Sequence, residues 1–337
     1  MEPTEKVPLG RSGVEVTRLG LGTAPIGGLY EAVSEGDARG TLRRSWELGI
    51  RFFDTAPLYG HGLAERRLGA FLRQSAREGF VLATKVGRLL RAGAPLTPDL
   101  AHQGEPYYKG DLSLTPVFEF SFQGARRSLE ESLERLGLER VDVVYLHDPD
   151  LHYQEALTGA YAALRDLREE GAVGAVGVGM NQTSMLARFA RQADFDCFLL
   201  AGRYTLLDQT ALDELFPLCL GRGIAIIGAG VYNSGILADP RPGTRYDYVP
   251  ATRALLERAR AIKEICLRYG TPLRAVAIQF PLQHPAVTAV LVGARHPTEI
   301  EESVQAFRSP IPTDLWAELR AEGFLRPDAP APDRPAP

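Results

Sequence analysis

The sequence predicts an α/β fold, a (β/α)8 TIM barrel, because short apolar runs alternate with helical patterns along the chain. Runs that are apolar throughout are typical of parallel strands buried on both faces. Eight such runs with helices between them favour a closed barrel over an open sheet. The predicted strands are residues 19–22, 51–54, 80–85, 141–147, 173–178, 197–201, 224–227 and 287–292.

One stretch between the strands shows the helical spacing clearly. In residues 123–136, Ala125, Leu129, Leu133 and Leu136 fall on one face of a helix, with Arg and Glu residues on the other. The same spacing predicts helices over three further stretches, residues 35–48, 64–72 and 153–170.

Three segments depart from this alternation. Residues 6–9 and 14–18 flank a turn at 10–13, which predicts an N-terminal hairpin that closes the bottom of the barrel. Residues 87–121 form a long loop after the third strand, and loops of this length are usually functional or disordered. We expect this loop to cover a substrate. Residues 233–250 are a second irregular segment.

Length and composition fit a single barrel. The 337 residues with 45% hydrophobic content suffice for one large core, and residues 1–325 are predicted to form one domain. The stretch 326–337 is rich in Pro and Ala and is predicted to be a disordered tail. The net charge is -4, and the charged residues are spread along the chain. This distribution does not predict a basic surface that would bind nucleic acid or an anionic membrane.

The cysteines and the first residues bear on the class of protein. The three cysteines include no CxxC pair, so neither a disulfide framework nor a metal site is predicted. The start lacks the pattern of a signal peptide, and no apolar run reaches the ~20 residues of a membrane span. We expect a cytoplasmic protein that binds a small-molecule substrate, with no nucleic-acid or membrane partner. A homo-oligomer is left open.

Three consecutive strands end in a polar residue, namely Asp54, Lys85 and His147. The carboxyl ends of barrel strands converge on one rim, where active sites of such barrels lie. Tyr59 follows Asp54 by five residues, close enough to reach the same rim. Each residue alone also fits a structural role, such as a turn cap or a solvated strand end. The set of four favours catalysis.

These four side chains suit proton transfer. A free tyrosine has a pKa of about 10, and a nearby ammonium favours its phenolate. In this arrangement Asp54 holds Lys85, Lys85 stabilises the phenolate of Tyr59, and His147 orients a substrate oxygen. The group is therefore predicted to act on a carbonyl or an alcohol. The sequence has no GxSxG elbow and no Cys beside a His, so acyl transfer is not favoured.

The stretch GIRFFDTAPLYGHGLAERRLG, residues 49–69, resembles the signature of the aldo-keto reductase family. The resemblance extends from LGLGT at 19–23 to GARHPTEIEESV at 293–304. It implies a (β/α)8 barrel and places the catalytic Asp, Tyr, Lys and His of that family on Asp54, Tyr59, Lys85 and His147.

Hydride chemistry needs a carrier that side chains do not supply. The chain has no GxGxxG between a strand and a helix, which argues against a Rossmann domain. The resemblance implies a nicotinamide dinucleotide across the carboxyl-end rim, with its phosphate end near the helix that follows residue 297. It assigns to the cofactor Thr23, Asn181, Tyr232, Asn233, Ser234, Gly293, Arg295, Glu299, Glu302 and Ser303.

One position bears on the choice of cofactor. Many relatives that use NADPH have a basic residue where this chain has Glu299, and a carboxylate there would repel a 2′-phosphate. NAD is therefore predicted, and Arg295 keeps NADP as the alternative. The clasp around the nicotinamide departs from the common pattern, with Asn181 in place of a Ser-Asn pair.

These departures resemble one branch of the family, the L-fucose, D-threo-aldose and galactose 1-dehydrogenases with pyridoxal 4-dehydrogenase. The segments LHDPD, GVGMNQ, LAGRYTLLDQ and VYNSGIL carry this resemblance. It implies oxidation of an aldose at its anomeric carbon to a lactone, with Tyr59 as the general acid/base. The predicted substrate contacts, each of which also fits a structural ion pair or a solvated loop, are His61, Tyr108, Asp148 and Arg203.

Three alternatives stay open at this point. Pyridoxal closes to a hemiacetal and fits the same chemistry. A broad NADPH-dependent aldehyde or ketone reductase fits the larger family, although Glu299 argues against it. A nicotinamide-binding regulatory subunit without turnover is the third, and the intact set of four residues argues against that hypothesis.

Overall fold

The computed structural model describes residues 1–333 and contains a closed barrel of eight parallel strands. Each strand pairs with the next along the chain, and the last pairs with the first through Val290 and Leu19. The predicted (β/α)8 barrel is confirmed, with strand ends shifted by at most two residues. The strands are β1 Leu19–Gly22, β2 Phe52–Asp54, β3 Val81–Val86, β4 Val143–His147, β5 Ala175–Met180, β6 Cys197–Ala201, β7 Ala225–Ala229 and β8 Val287–Gly293.

Helices surround the barrel, and none within residues 1–333 is long and apolar enough to cross a membrane. The helix predicted at 153–170 is interrupted, because a π-helical turn, Ala156–Ala160, precedes its longest regular part. The α-helices of eight or more residues, with one shorter helix before β8, are α1 Glu35–Glu47, α2 Leu63–Leu72, α3 Phe122–Leu136, α4 Tyr161–Glu169, α5 Thr183–Gln192, α6 Leu215–Arg222, α7 Arg253–Arg268, α8 Leu273–Gln279, α9 Pro297–Arg308 and α10 Thr313–Ala321.

Helix α3 shows how the sequence sets an element's ends and its buried face. The Ser121 hydroxyl accepts a hydrogen bond from the backbone N–H of Gly124, which caps the start of the helix. Gly137 ends the helix in the left-handed region, at φ 62°. Ala125 and Leu129 are buried on the predicted apolar face. Burial of this face holds the helix against the barrel.

Inward-facing side chains fill the barrel, and a hairpin closes its bottom. Lys6–Pro8 pairs antiparallel with Glu15–Thr17, as predicted. Val7 and Val16 of this hairpin pack into the same cluster as the interior residues, including Tyr145. The interior of the barrel is therefore filled by side chains down to the hairpin. Active sites of such barrels lie at the carboxyl-end rim.

The long loop after β3 is ordered and carries its own secondary structure. Arg88–Ala92 pairs antiparallel with Leu114–Phe118. The loop also bonds to the loop after β1, where the N–H of Tyr30 donates to the carbonyl of Tyr107 over 2.8 Å. The neighbouring Tyr108 is thereby placed at the rim.

The C-terminal segment differs from its prediction. Residues 326–333 lie against the barrel instead of being disordered, and Ala329 and Ala331 are buried there. Arg320 holds the segment through Asp333 over 2.9 Å and through the Ala329 carbonyl over 2.9 Å. Residues 334–337 of the predicted tail lie outside the described residues. The single domain of residues 1–325 stays a prediction.

Candidate active site

The four residues predicted to be catalytic lie together at the carboxyl ends of β2, β3 and β4. Lys85 Nζ donates hydrogen bonds to Asp54 Oδ1 over 2.6 Å, to the Thr55 carbonyl over 2.9 Å and to the Tyr59 hydroxyl oxygen over 3.1 Å. The ring centroids of Tyr59 and His147 are 5.9 Å apart, with the ring planes at 89°. Asp54, Lys85 and His147 are buried.

Strand register places three of these side chains side by side. Asp54 is the last residue of β2 and pairs with Ala83, two residues before Lys85. Lys85 in turn pairs with Tyr145, two residues before His147. Because parallel strands alternate their side chains between faces, the three polar residues point to the same side of the sheet.

Tyr59 is placed by close contact between two loops. Its N–H donates to the Ala56 carbonyl over 3.1 Å, which closes the turn after β2. A Cβ on Gly60 would lie 2.2 Å from the Gly27 carbonyl oxygen, and a Cβ on Gly27 would lie 2.8 Å from the Tyr59 carbonyl carbon. The two glycines therefore let the loop after β1 support the backbone of Tyr59 directly.

Electrostatics set the protonation states of this group. Burial raises the pKa of Tyr59 well above 10, the charges of Asp54 and Asp148 raise it further, and Arg88 opposes them. Burial, followed by the positive charges of Lys85 and Arg88, holds the pKa of His147 well below 6.5. At neutral pH the site therefore presents a neutral phenol and a neutral imidazole.

This arrangement can move a proton to or from a substrate oxygen. Because Lys85 donates to the hydroxyl oxygen of Tyr59, the phenolic proton is free to point at another acceptor. The same ammonium stabilises the phenolate when Tyr59 has lost that proton. The neutral His147 can donate a hydrogen bond to the same substrate oxygen.

A cavity of about 730 Å³ runs from Tyr59 and Asp54 to the start of α9. All of the predicted cofactor residues except Thr23 line it. Thr23 is buried, and its hydroxyl donates to the Asp54 carbonyl over 3.0 Å. The lining residues from the prediction are Asn181, Tyr232, Asn233, Ser234, Gly293, Arg295, Glu299, Glu302 and Ser303.

The far end of the cavity is built from ion pairs. Arg295 Nη2 lies 2.8 Å from Glu299 Oε1, and Arg295 Nη1 lies 2.5 Å from Glu31 Oε1. Arg274 pairs with Glu302 nearby. Burial alone would raise the pKa of Glu299, but the hydrogen bonds from Arg295 outweigh it and the pKa is lowered. Glu299 is therefore a carboxylate at neutral pH.

Three of the four predicted substrate residues lie around the catalytic group. The rings of Tyr59 and Tyr108 are stacked with centroids 6.2 Å apart, and the His61 ring is 6.3 Å from that of Tyr108. Asp148 Oδ2 lies 3.6 Å from His147 Nε2.

Arg203, the fourth predicted substrate residue, instead binds other protein groups. Its guanidinium lies 2.5 Å from Asp247 Oδ2 and 3.7 Å from Asp208 Oδ2. Asp247 belongs to the loop after β7, residues 230–250. The structure therefore gives Arg203 the contacts of a residue that holds this loop.

Sequence reasoning did not identify Arg88 or Tyr248. Arg88 is buried beside Asp148, two residues beyond the end of β3, and a charged residue after an apolar strand is the signal that pointed to Lys85. The ring of Tyr248 lies 5.4 Å from that of Tyr107 and 6.3 Å from that of Tyr30. These rings join three loops that are distant in sequence, so no local pattern predicts their contact.

Comparison with known proteins bears on this geometry. The sequence model of the Aldo/keto reductase family matches residues 18–322. Pyridoxal 4-dehydrogenase of Microbacterium luteolum is 44% identical over 96% of this chain and 99% of its own. D-threo-aldose 1-dehydrogenase of a Pseudomonas species is 43% identical over 94% of this chain and 96% of its own.

One solved structure gives the same fold. The holo form of an aldo-keto reductase from Bacillus halodurans superimposes with a TM-score of 0.73, covering 96% of this chain and 97% of that one. The two sequences are 24% identical, so this likeness concerns the fold alone.

Proposed function

We propose, since this chain belongs to the aldo/keto reductase family and is an oxidoreductase, that it oxidises the anomeric carbon of an aldose to a lactone with NAD as hydride acceptor. The observation that carries the proposal is the hydrogen-bonded group of Asp54, Lys85 and Tyr59 at the mouth of a long cavity. The similarity over nearly the whole chain to a D-threo-aldose 1-dehydrogenase supports the class of substrate.

The cavity suits a nicotinamide dinucleotide. It is elongated, and the buried Asn233 Oδ1 on its lining has no hydrogen-bond partner among residues 1–333, which leaves an acceptor for a ligand. When bound, the nicotinamide ring supplies the hydride acceptor that side chains lack. Asn181, Asn233 and Ser234 are proposed to hold the dinucleotide near Tyr59, and Arg295 and Ser303 near α9.

The ion pairs at the far end of the cavity favour NAD over NADP. Arg295 is occupied by Glu31 and Glu299, and Arg274 by Glu302. A 2′-phosphate would have to displace these carboxylates and would be repelled by them. The hydroxyls of an unphosphorylated ribose would instead find acceptors there.

In the proposed reaction the protein moves one proton. Tyr59, as the phenolate, would accept the proton of the anomeric hydroxyl, and a bound nicotinamide would supply the acceptor for the hydride of the same carbon. Lys85 stabilises the phenolate, and Asp54 fixes Lys85 in place. His147 donates a hydrogen bond to the reacting oxygen.

Pyridoxal is the second candidate substrate. The rings of Tyr30, Tyr107, Tyr108 and Tyr248 gather near Tyr59 and suit a flat aromatic hemiacetal. A relative of similar identity is a pyridoxal 4-dehydrogenase.

We also propose that the enzyme works in the cytoplasm, because Cys197, Cys219 and Cys266 are free thiols, as is usual in a reducing compartment. A homo-oligomer stays a prediction.

The test follows the reduced-nicotinamide absorbance of purified protein with NAD or NADP. The substrates are L-fucose, D-arabinose, L-galactose, D-galactose and pyridoxal. Turnover of an aldose with NAD is expected. Turnover with pyridoxal alone would move the proposal to the second candidate. No turnover on this panel, with NADPH consumed by simple aldehydes, would overturn both.

A further inference from the structure

We propose that Asp148, held in place by Arg88, binds the hydroxyl group on the carbon next to the reacting carbon of the substrate. The enzyme would then select hemiacetals that carry a neighbouring hydroxyl, and it would discriminate against substrates without one. This inference rests on the proposed oxidation of an aldose.

Asp148 is a neighbour of His147, one of the two residues that we propose contact the reacting oxygen. That oxygen is placed by Tyr59 and His147, whose rings are perpendicular and 5.9 Å apart. Asp148 Oδ2 lies 3.6 Å from His147 Nε2, so the carboxylate adjoins the imidazole that we propose contacts the reacting oxygen. A hydroxyl on the adjacent carbon would be the first substrate donor within reach of this acceptor.

The carboxylate of Asp148 is partly buried and partly exposed. Its side chain keeps 34% of its surface exposed, although the neighbouring His147 is buried. Burial raises the pKa of Tyr108 well above 10, and the neighbouring Tyr59, Tyr248 and Tyr30 raise it further. The charge of Asp148 makes a smaller contribution in the same direction, as it does for Tyr59 after burial and Asp54. The charge therefore acts on the tyrosines that surround the reacting carbon.

The backbone of Asp148 is held in an uncommon conformation. Its φ is 46°, in the left-handed region that residues other than glycine rarely adopt, and its N–H donates to the Gly179 carbonyl over 3.0 Å. Such conformations concentrate at functional sites, where they aim a side chain. Here the conformation occurs directly after His147, the last residue of β4.

Arg88 is the positioning residue for this carboxylate. It is 3% exposed, and its Nη2 lies 3.5 Å from Asp148 Oδ2 while its Nη1 donates to Asp99 over 2.6 Å. Its guanidinium also stacks on the Phe118 ring at 3.9 Å. Phe118 and Asp99 both come from the long loop after β3, so Arg88 ties Asp148 to that loop.

An ionised carboxylate accepts hydrogen bonds from hydroxyl groups and donates none. The site therefore fits a polyol beside the reacting carbon, with the C–H faces of the sugar against the Tyr108 ring. A simple aldehyde or ketone offers no donor to Asp148 and would leave the carboxylate unsatisfied, which costs binding.

The experiment pairs a protein change with a substrate change. kcat/KM is measured for wild type and for Asp148→Asn with D-galactose and with 2-deoxy-D-galactose, or with another aldose of the panel and its 2-deoxy analogue if that sugar is better. Loss of a hydrogen bond to a charged group corresponds to about a 10- to 100-fold loss, so we expect the 2-deoxy sugar to be that much poorer with wild type. With Asp148→Asn the ratio between the two sugars should fall to about a third of the wild-type ratio or less, because the amide oxygen still accepts a hydrogen bond but carries no charge.

Two controls keep the result interpretable. Asp150→Asn removes a neighbouring, partly exposed carboxylate and should preserve the wild-type ratio between the sugars. Fluorescence titration with NADH reports whether each variant is folded and binds its cofactor. Arg88→Lys should raise KM for D-galactose more than it lowers kcat, which a loss of folding alone would not do.

The outcomes separate this inference from the proposed function. If Asp148→Asn keeps the full ratio between the parent and 2-deoxy sugars, the assignment of Asp148 is overturned while the aldose activity stands. If wild type already treats the two sugars alike, the inference also fails. If wild type turns over pyridoxal and no aldose, the proposed aldose activity is overturned, and this result is obtained before any variant is made.

Discussion

Lys85 and Asp54 form an ion pair inside the protein, with Nζ 2.6 Å from Oδ1 and side chains that are 1% and 3% exposed. Removing one partner of a buried pair leaves an uncompensated charge and costs about 3–5 kcal/mol of unfolding free energy. The pair also holds the ammonium that contacts Tyr59. The two residues therefore link stability and chemistry in one contact.

Asp54→Asn should lower both the free energy of unfolding and kcat. We expect the unfolding free energy to fall by about 3 kcal/mol in a urea titration and kcat to fall at least about 100-fold, because Lys85 loses its anchor. The double variant Asp54→Leu with Lys85→Met removes both charges and should recover most of the stability without recovering turnover. A single variant as stable as wild type would show that the pair with Lys85 contributes nothing to the unfolding free energy.

Tyr59→Phe should abolish proton transfer while leaving the cavity intact. We expect kcat to fall about 100- to 10,000-fold, the usual contribution of a general acid/base, with little change in the Kd for NADH. Tyr269→Phe, at the end of α7 and not among the residues that line the cavity, is the matched control and should behave as wild type. Retained turnover in Tyr59→Phe would remove the proposed mechanism.

The oxidation should be faster at alkaline pH. It needs the phenolate of Tyr59, whose pKa lies well above 10 because of burial and the charges of Asp54 and Asp148, with Arg88 opposing. The phenolate fraction, and with it kcat/KM, should therefore rise with pH by up to about tenfold per unit below that pKa. Reduction of the lactone or aldehyde should not show this rise. A flat profile for oxidation between pH 7 and 10 would argue against Tyr59 as the base.

A second pH effect should come from Asp148. Burial raises its pKa to about 6, Arg88 opposes this, Asp150 and Asp99 add to it, and Lys85 also lowers it. Below pH 6 the carboxyl is protonated, so KM for an aldose should rise as the pH falls through 6. This rise in KM at low pH should be absent in Asp148→Asn. Its persistence there would assign the pH effect to another group.

Cofactor preference should respond to the carboxylates around Arg295. In Glu31→Gln with Glu299→Gln, the guanidinium is released and two negative charges are removed. We expect the ratio of kcat/KM for NADP to that for NAD to rise about tenfold, equivalent to about 1.4 kcal/mol. Glu301→Gln, which removes a carboxylate paired with Arg44 on the outside, is the control. An unchanged ratio would place the 2′ position of the ribose elsewhere.

The barrel and the proximity of Asp54, Lys85 and His147 could be predicted because their signals are local. Asp54, Lys85 and His147 each follow an apolar run, and the pairing of successive strands brings them together. The partners of Arg203 could not be predicted in this way. Its guanidinium binds Asp247, 44 residues further along, and only the folded loop after β7 makes that contact.

The C-terminal segment shows a second limit of local patterns. Its Pro and Ala content is typical of a disordered tail, yet Arg320 binds Asp333 and the Ala329 carbonyl. The guanidinium of Arg320 in α10 thus binds polar groups that the composition of this segment would predict to be exposed to solvent. Such contacts depend on where the chain returns to the barrel, which residue composition does not report.

The close approach of Gly27 and Gly60 has a consequence for transplanting this site into another protein. Tyr59 belongs to the second βα unit, but its backbone rests on the loop of the first unit, with no room for a side chain at Gly27 or Gly60. A designer who copied only the second unit would import the tyrosine without its support. The smallest portable piece of this active site is therefore a pair of consecutive units, both glycines included.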